Sequence, residues 1–380
     1  MLVSLDLFTG IAGITHALRG IATPALYCEV EPTRLATLET LMTKGLIPRA
    51  PIHTDVRTLT VESLPTGTDI DMVVGGWPCR GWSPVGKRNG FEHEQSALFF
   101  EFARIVNEIK PKLVFQENVP AVVGAKPLAE IAAALPDYDL AWVTLPAYAV
   151  GGKIVRMRWY CLGIRRDVQG LRIPVDQPYI RHAFHPDPCA CMTMKMPNTK
   201  RLSMLGNSVV PDAVRLAALV LLTGFKIPPA ELWTATSLEV ARPPHTGRPL
   251  GPATPFTGRR YGSIVDGVWE RQKVPPGTVP PRPDLGLVLV PFARAPTAKA
   301  AAPEANIARH PIPKRMWASP LGGNLWSCAT LTRRNCGDLY TQIRFEKGTP
   351  DALRGGYPDP EWVEHLMGFP TGWTESNADV

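Results

Sequence analysis

No apolar run in the sequence approaches the roughly 18 residues that a membrane-spanning helix needs, so no bilayer span is expected. The opening MLVSLDLFTGIAGITHAL is apolar but lacks a basic start, and Asp6 interrupts it, so a secretory leader is not expected either. The seven cysteines are odd in number and scattered, without the spacing of a disulfide framework, which points to a reducing, intracellular compartment. There is no internal repeat and no GxGxxG turn, and the missing turn counts against a nicotinamide-dependent oxidoreductase. Charge is modest: 20% of residues are charged and the net charge is +7. That basic excess suits a polyanionic partner such as nucleic acid, and it also suits an ordinary basic enzyme.

What is present is a chain of 380 residues, 45% of them hydrophobic, long enough for two domains and a full-sized core. Its 40 prolines crowd the second half, so the halves should differ in character. In the first half strand-like and helix-like segments alternate. Strands are expected over 2–8, 25–31, 69–76, 112–119, 140–145 and 158–166, and helices over 13–20, 33–44, 96–109, 128–135 and 212–225. This predicts an α/β fold with a largely parallel sheet and helices on both faces, whose ligands bind beyond the carboxyl ends of the strands. Residues 226–316 are rich in Pro, Gly and Arg, and order returns around 316–346 and 360–374. The expected division is 1–224, a Pro-rich 225–315, and 316–380.

The strand ends carry the chemistry. The first, DLFTGIAG (Asp6 to Gly13), has glycines at Gly10 and Gly13 that let backbone approach a ligand. Glu29 ends the second strand, where a carboxylate can hold ribose hydroxyls, and Asp55 could accept from an adenine amino group. These outline a nucleoside pocket, or else a glycine turn and two solvated acids. Cys79 follows Pro78 at the end of DMVVGG, with Lys87 and Arg88 near in sequence to favour a thiolate. A free cysteine is otherwise a small buried hydrophobe. Glu117 and Asn118 close an apolar strand, functionally or as a solvated end. Arg156 and Arg158, two apart, share one face of a strand, which could also be a plain charged edge. MLGNSVVPDAVRLA reads as a tight Gly206–Asn207 turn leading through Pro211 into a helix.

Five of these motifs in one order, DLFTGIAG, GGWPCRGWS, ENV, RMR and GNSVVP, resemble the cytosine-C5 DNA methyltransferases over roughly residues 1–222. The resemblance implies a Rossmann-like methyltransferase sheet and S-adenosylmethionine as the methyl donor. It also implies double-stranded DNA as partner, with the target base flipped out, and a monomer. By resemblance Cys79 of the Pro78–Cys79 pair is the nucleophile, Glu117 the acid at N3, and Arg158 the ligand of the base carbonyl. Arg156 supports the site and Asn118 orients its loop. Asp6, Phe8, Gly10, Gly13, Glu29, Asp55, Asn207 and Val209 would line the cofactor pocket, and Ser83, Lys87 and Arg88 belong to a loop that closes on the flipped nucleotide and its phosphates.

The chain departs from the family at Arg80, where Gln is usual, at Trp82 and at Val155. Only about thirty residues separate Asp167 from Arg201, short for any recognition domain. Recognition material is therefore expected in 225–380, where EWVEHLMGFPTGW resembles a family segment that normally precedes the Gly-Asn motif, and TLTRRNCGDL goes with it. His182, His185, Cys189 and Cys191 match no standard zinc spacing, so no metal is expected. The alternatives are an RNA (transfer RNA) cytosine-C5 methyltransferase and a DNA-binding homologue without activity.

Overall fold

Every second residue of the central strands is apolar on one face and apolar again on the other, and both sets are buried. Met72 and Val74 of β4 (Met72–Gly75), with Leu113 and Phe115 of β5 (Leu113–Asn118), join one core cluster, while Val73 and Val114 join the other. A strand buried on both faces is what a parallel sheet sandwiched by helices requires. The computed structural model describes residues 1–82, 90–123, 125–150, 152, 154, 156–168, 192–193, 199–223, 261–265, 268–270 and 357–376.

The remaining sheet strands are β1 (Leu2–Leu7), β2 (Ala22–Cys28), β3 (Ile52–His53), β6 (Tyr138–Pro146), β7 (Met157–Arg165), β9 (Tyr261–Val265) and β10 (Val268–Glu270). Their order is β10-β9-β6-β7-β5-β4-β1-β2-β3. β3, β2, β1, β4 and β5 run parallel. β7 runs antiparallel between β5 and β6, with Glu117 opposite Tyr160 and Asn118 opposite Trp159. The expected α/β sheet with helices on both faces is therefore present, but it is mixed. β6 and β7 form a hairpin, so β7 enters the sheet from the edge at which the parallel strands end, and its first residues lie beside their carboxyl ends. β9 and β10, from the Pro-rich region, form a second hairpin that pairs on β6, Ile264 opposite Leu140.

One face carries α1 (Gly13–Ala17), α2 (Pro32–Thr43), α5 (Thr199–Asn207) and α6 (Pro211–Thr223); the other carries α3 (Leu98–Ile109) and α4 (Ala125–Ala134). α3 buries Phe99, Phe102, Ile105 and Val106, most of the apolar stripe legible in the sequence. Each fully buried side chain of this size contributes about 1.5–3 kcal/mol over exposure. α5 and α6 together, Thr199–Leu222, are apolar and long enough to cross a bilayer by composition alone, but 89% of that window is buried inside the fold. The expected Gly-Asn turn is corrected here. Gly206 and Asn207 form the last turn of α5, and the break before Pro211 falls at Ser208–Val210.

The chain's far end returns to this core. β8 (Met192–Thr193), just before α5, pairs antiparallel with β11 (Tyr357–Pro358), just before α7 (Pro360–Met367). Asp359 caps α7 by accepting from the amides of Glu361 and Trp362, and Gly368, at φ 83°, ends it in the left-handed conformation. Trp362, Val363, Leu366, Met367, Phe369 and Trp373 are buried in the same cluster as α1, α5 and α6. Residues 357–376 thus belong to the sheet's helical layer, although the sequence places them in a separate 316–380 unit. Most of 225–356, including TLTRRNCGDL, lies outside the described residues, as do His182, His185, Cys189 and Cys191.

Candidate active site

β4 ends in Gly75 and is followed by Gly76, and larger residues would not fit at either position. A Cβ on Gly75 would stand 2.6 Å from the carbonyl oxygen of Leu7, and one on Gly76 would stand 2.9 Å from Oε2 of Glu117. The glycines let β4 close on β1 and let the Glu117 carboxyl reach under the next turn. That turn is Trp77–Pro78–Cys79. Trp77 is buried and its indole N–H donates to Oε1 of Gln116 at 3.3 Å. Asn118 Nδ2 donates to the Trp77 carbonyl at 2.9 Å, while Asn118 Oδ1 accepts from the Val119 amide. Asn118 therefore staples the end of β5 to the residue two before Cys79. Beyond Cys79, the Trp82 amide donates to the Cys79 carbonyl, and the Gly81 amide donates to Ser96 Oγ at 2.9 Å. Ser96 and Gln116 were not anticipated; polar residues whose work is to hold a backbone turn carry no periodic signal. Arg80 is exposed, and Trp82 packs on Gly90 and Phe91.

Glu117 is buried and Arg158 Nε lies 3.0 Å from its Oε1. Burial pushes the Glu117 carboxyl above its ordinary range, and Arg158 and Arg156 oppose the shift. Burial also raises the Cys79 thiol, as does the Glu117 charge, again against the two arginines. Each of these groups thus depends on the other's proton: protonating Glu117 removes a charge that resists ionisation of Cys79. Arg156, also buried, donates through Nη2 to the carbonyls of Gly206 (2.9 Å) and Ser208. It ties the start of β7 to the α5–α6 junction, and burial beside Arg158 lowers it to about 9. Arg158 reaches Glu117, and Arg156 comes near enough to act on its charge, because β7 is antiparallel, which brings its amino end to the carboxyl ends of β4 and β5.

The β1 and β2 ends form a second, neighbouring group. Phe8, Gly10 and Ala12 all have positive φ (53°, 62° and 59°), so the loop into α1 is tightly folded. For the two non-glycine residues this costs about 1–3 kcal/mol each and persists only where contacts enforce it. Those contacts are at hand. The Gly10 amide donates to Glu29 Oε2 at 2.8 Å, and Thr9 is bonded to β1 and β2 through its hydroxyl and amide. Glu29 Oε1 accepts from the amides of Val30 and Glu31 and pairs with Arg34 at 3.4 Å. Beneath the loop, Asp6 is buried and accepts from the Thr15 hydroxyl; burial raises its carboxyl to about 7. Nothing but Phe8 O, at 3.9 Å, would meet a Cβ on Gly10, so space is open above it. Gly13 instead serves packing, since a Cβ there would meet Val209 at 2.7 Å and Phe369 at 3.3 Å.

The structure brings Phe8, Gly10, Glu29, Cys79, Glu117, Asn118, Arg156 and Arg158 to one edge of the sheet. Asp55 follows β3 and its carboxylate is gripped by Arg57, the shortest contact being 2.7 Å. Asn207 is exposed and its amide donates to Ser203 O. Ser83, Lys87, Arg88 and Val155 lie outside the described residues. Among the described residues no group of His, Cys, Asp and Glu is arranged to hold a metal ion.

Residues 2–188 match the family of the C-5 cytosine-specific DNA methylases. The chain is 30% identical over 390 residues to the type II methyltransferase M.CviJI of Paramecium bursaria Chlorella virus IL3A, covering 96% of each. It is 36% identical over 115 residues to the type II methyltransferase M.HhaI of Haemophilus parahaemolyticus (30% of this chain, 33% of that one). It is 46% identical over 64 residues to the type II methyltransferase M.Eco47II of Escherichia coli (17% and 15%).

Proposed function

Because this chain belongs to the C-5 cytosine-specific DNA methylases, we propose that it methylates DNA cytosine through a covalent adduct between Cys79 and carbon 6 of a flipped-out base. It is a DNA cytosine-5 methyltransferase of the type II restriction-modification kind. The observation that carries the mechanism is the meeting of Cys79 with a buried Glu117 whose carboxyl is raised and paired with Arg158.

Carbon 5 of cytosine is a weak nucleophile. Addition of the Cys79 thiolate to C6 makes the ring an enamine and C5 reactive. The electrons displaced onto the ring collect toward N3, where the Glu117 carboxylic acid donates or shares its proton. Passing that proton to N3 would leave Glu117 a carboxylate beside Arg158, which balances the new charge. Arg158 also holds the base carbonyl, and Arg156 and Asn118 hold the backbone from which these groups project. Once C5 has taken the methyl group, a base removes the C5 proton, Cys79 leaves as the thiolate by β-elimination, and the N3 proton returns to the Glu117 carboxylate. A paired cytosine cannot offer C6 to a thiol at a sheet edge, so the base must leave the stack. Ser83, Lys87 and Arg88 are assigned to phosphate and base contacts during that step.

S-adenosylmethionine supplies the electrophilic methyl group. The residues at the β1–β2 end fit it. Glu29 Oε2 has one amide donor and so retains a lone pair for a ribose hydroxyl. Asp55 is assigned to the adenine amino group, which would share its carboxylate with Arg57. The open side of Gly10 accommodates a close approach, with Asp6, Phe8 and Gly13 shaping the loop and Asn207 and Val209 at the far end. Recognition of the target sequence is assigned to 225–380, with the enzyme a monomer. The free cysteines Cys28, Cys79 and Cys161 suit an intracellular setting.

Mixed-sequence duplex DNA carrying 5-fluorocytosine tests the adduct, because fluorine cannot leave C5 as a proton does. A denaturation-resistant complex is expected with the native protein and S-adenosylmethionine, and none with Cys79→Ala. A protein that methylates ordinary DNA but traps no 5-fluorocytosine complex would refute the covalent step. A parallel reaction on transfer RNA should give no product.

A further inference from the structure

The segment after α7 packs on the back of the β1–α1 loop. Trp373 is fully buried, and its indole N–H donates to the Ile11 carbonyl at 2.8 Å. Its ring lies 4.6 Å from that of His16 on α1 and 5.5 Å from that of Phe369, which presses on Gly13. Ile11 stands between Gly10, whose amide is bonded to Glu29, and Ala12, the left-handed cap of α1. The indole thus holds the loop from behind at the residue between the last two of its three left-handed positions, Gly10 and Ala12. The segment is itself locked. Glu364, fully buried, accepts from the amides of Gly372 and Thr374, from the Thr374 hydroxyl, and from Arg201 of α5 at 2.9 Å.

We propose that Trp373 is a positioning residue for the cofactor loop, so that the end of the chain sets affinity for S-adenosylmethionine. Residues 357–376 then do more than accompany target recognition: they complete, by contacts to Ile11 and Gly13 behind the loop, a site whose own motifs all lie before residue 224. The proposal rests on the assignment of the β1–α1 loop to S-adenosylmethionine. A loop held at Ile11 keeps the Gly10 amide on Glu29 and the space above Gly10 open. A loop released there must be reordered by the cofactor on binding, which weakens affinity without touching the reacting groups.

The test uses the full chain and two substitutions of the segment. Trp373→Phe keeps an aromatic ring in the pocket and removes the indole N–H donor. Val363→Ala loosens the buried face of α7 and leaves the Trp373–Ile11 hydrogen bond its donor. Binding of S-adenosylmethionine is titrated calorimetrically, and steady-state rates and melting temperatures are measured alongside. Trp373→Phe should raise the Kd and KM for S-adenosylmethionine about five- to tenfold, the loss of one buried hydrogen bond. At saturating cofactor its kcat and its KM for DNA should stay within about twofold of the native values. Val363→Ala should lower the melting temperature with cofactor affinity unchanged. Phe369→Leu, which relaxes the same contact at Gly13, should give a smaller rise and stands in if Trp373→Phe does not fold. Unchanged cofactor affinity in Trp373→Phe, or a rise matched by Val363→Ala, overturns the proposal. Failure of the native protein to bind S-adenosylmethionine overturns the loop assignment itself.

Discussion

The two halves of the site are built from different physics. At the ends of β4, β5 and β7 the work is done by charge out of water: the Glu117 carboxyl, the Cys79 thiol and the Arg156 guanidinium are each shifted by burial and by their neighbours, and Arg158 pairs with the carboxyl. At the ends of β1 and β2 it is done by backbone shape, with three consecutive alternate residues in the left-handed region and amides spent on one carboxylate. The first half can change its charge state during a reaction. The second can only be well or badly preorganised. Substitutions in the first should therefore change kcat, and those in the second should change affinity for the methyl donor.

The largest effect is expected on the charged half. Glu117→Gln keeps the shape and removes the transferable proton, and should lower kcat by about a thousandfold, on the order of 4 kcal/mol. The native kcat should also fall as pH rises through the raised Glu117 value, a limb the variant lacks; a pH series of single-turnover rates checks both. A smaller effect is expected on the shaped half. Glu29→Ala frees the Gly10 amide and removes the ribose acceptor, and should raise the KM for S-adenosylmethionine roughly thirtyfold, about 2 kcal/mol, with kcat little changed. A fall in kcat as large as that of Glu117→Gln would erase the distinction between the halves.

A third effect, on stability rather than on rate or affinity, belongs to Asp6, beneath the shaped half. Unfolded, it ionises near 3.8; folded, near 7. Between those values the folded chain holds a proton that the unfolded chain has lost, so this group's stabilisation declines as pH rises through that window and is flat above it. Asp6→Asn should flatten the stability curve there by up to about 1.4 kcal/mol per pH unit, measured by urea denaturation from pH 4 to 8. An unaltered slope would mean that Asp6 is ionised in the fold.

The sheet was legible because its strands alternate with helices and their ends carry the polar residues; Cys79, Glu117 and Glu29 stand at strand ends as the sequence predicts. The direction of β7 was not legible, since a strand's composition does not say which way it runs, and it is that direction that delivers Arg156 and Arg158. The Gly206–Asn207 pair misled because glycine marks a turn locally, whereas here Gly206 lies buried in the last turn of α5 with its carbonyl taken by Arg156. Trp373 was hidden by distance: its bond to Ile11 closes a separation of 362 residues. The return of order around 360–374, with the aromatic run GFPTGW, was the hint that this end is buried.

The central claim is that Cys79 carries methyl transfer to cytosine. The direct measurement supplies methyl-labelled S-adenosylmethionine and duplex genomic DNA to the native protein and to Cys79→Ser, digests the DNA to nucleosides, and counts label in 5-methylcytosine. Label should accumulate there with the native protein and be lost with Cys79→Ser. Label absent from DNA of every sequence tried, or transfer that survives Cys79→Ser undiminished, would contradict the account.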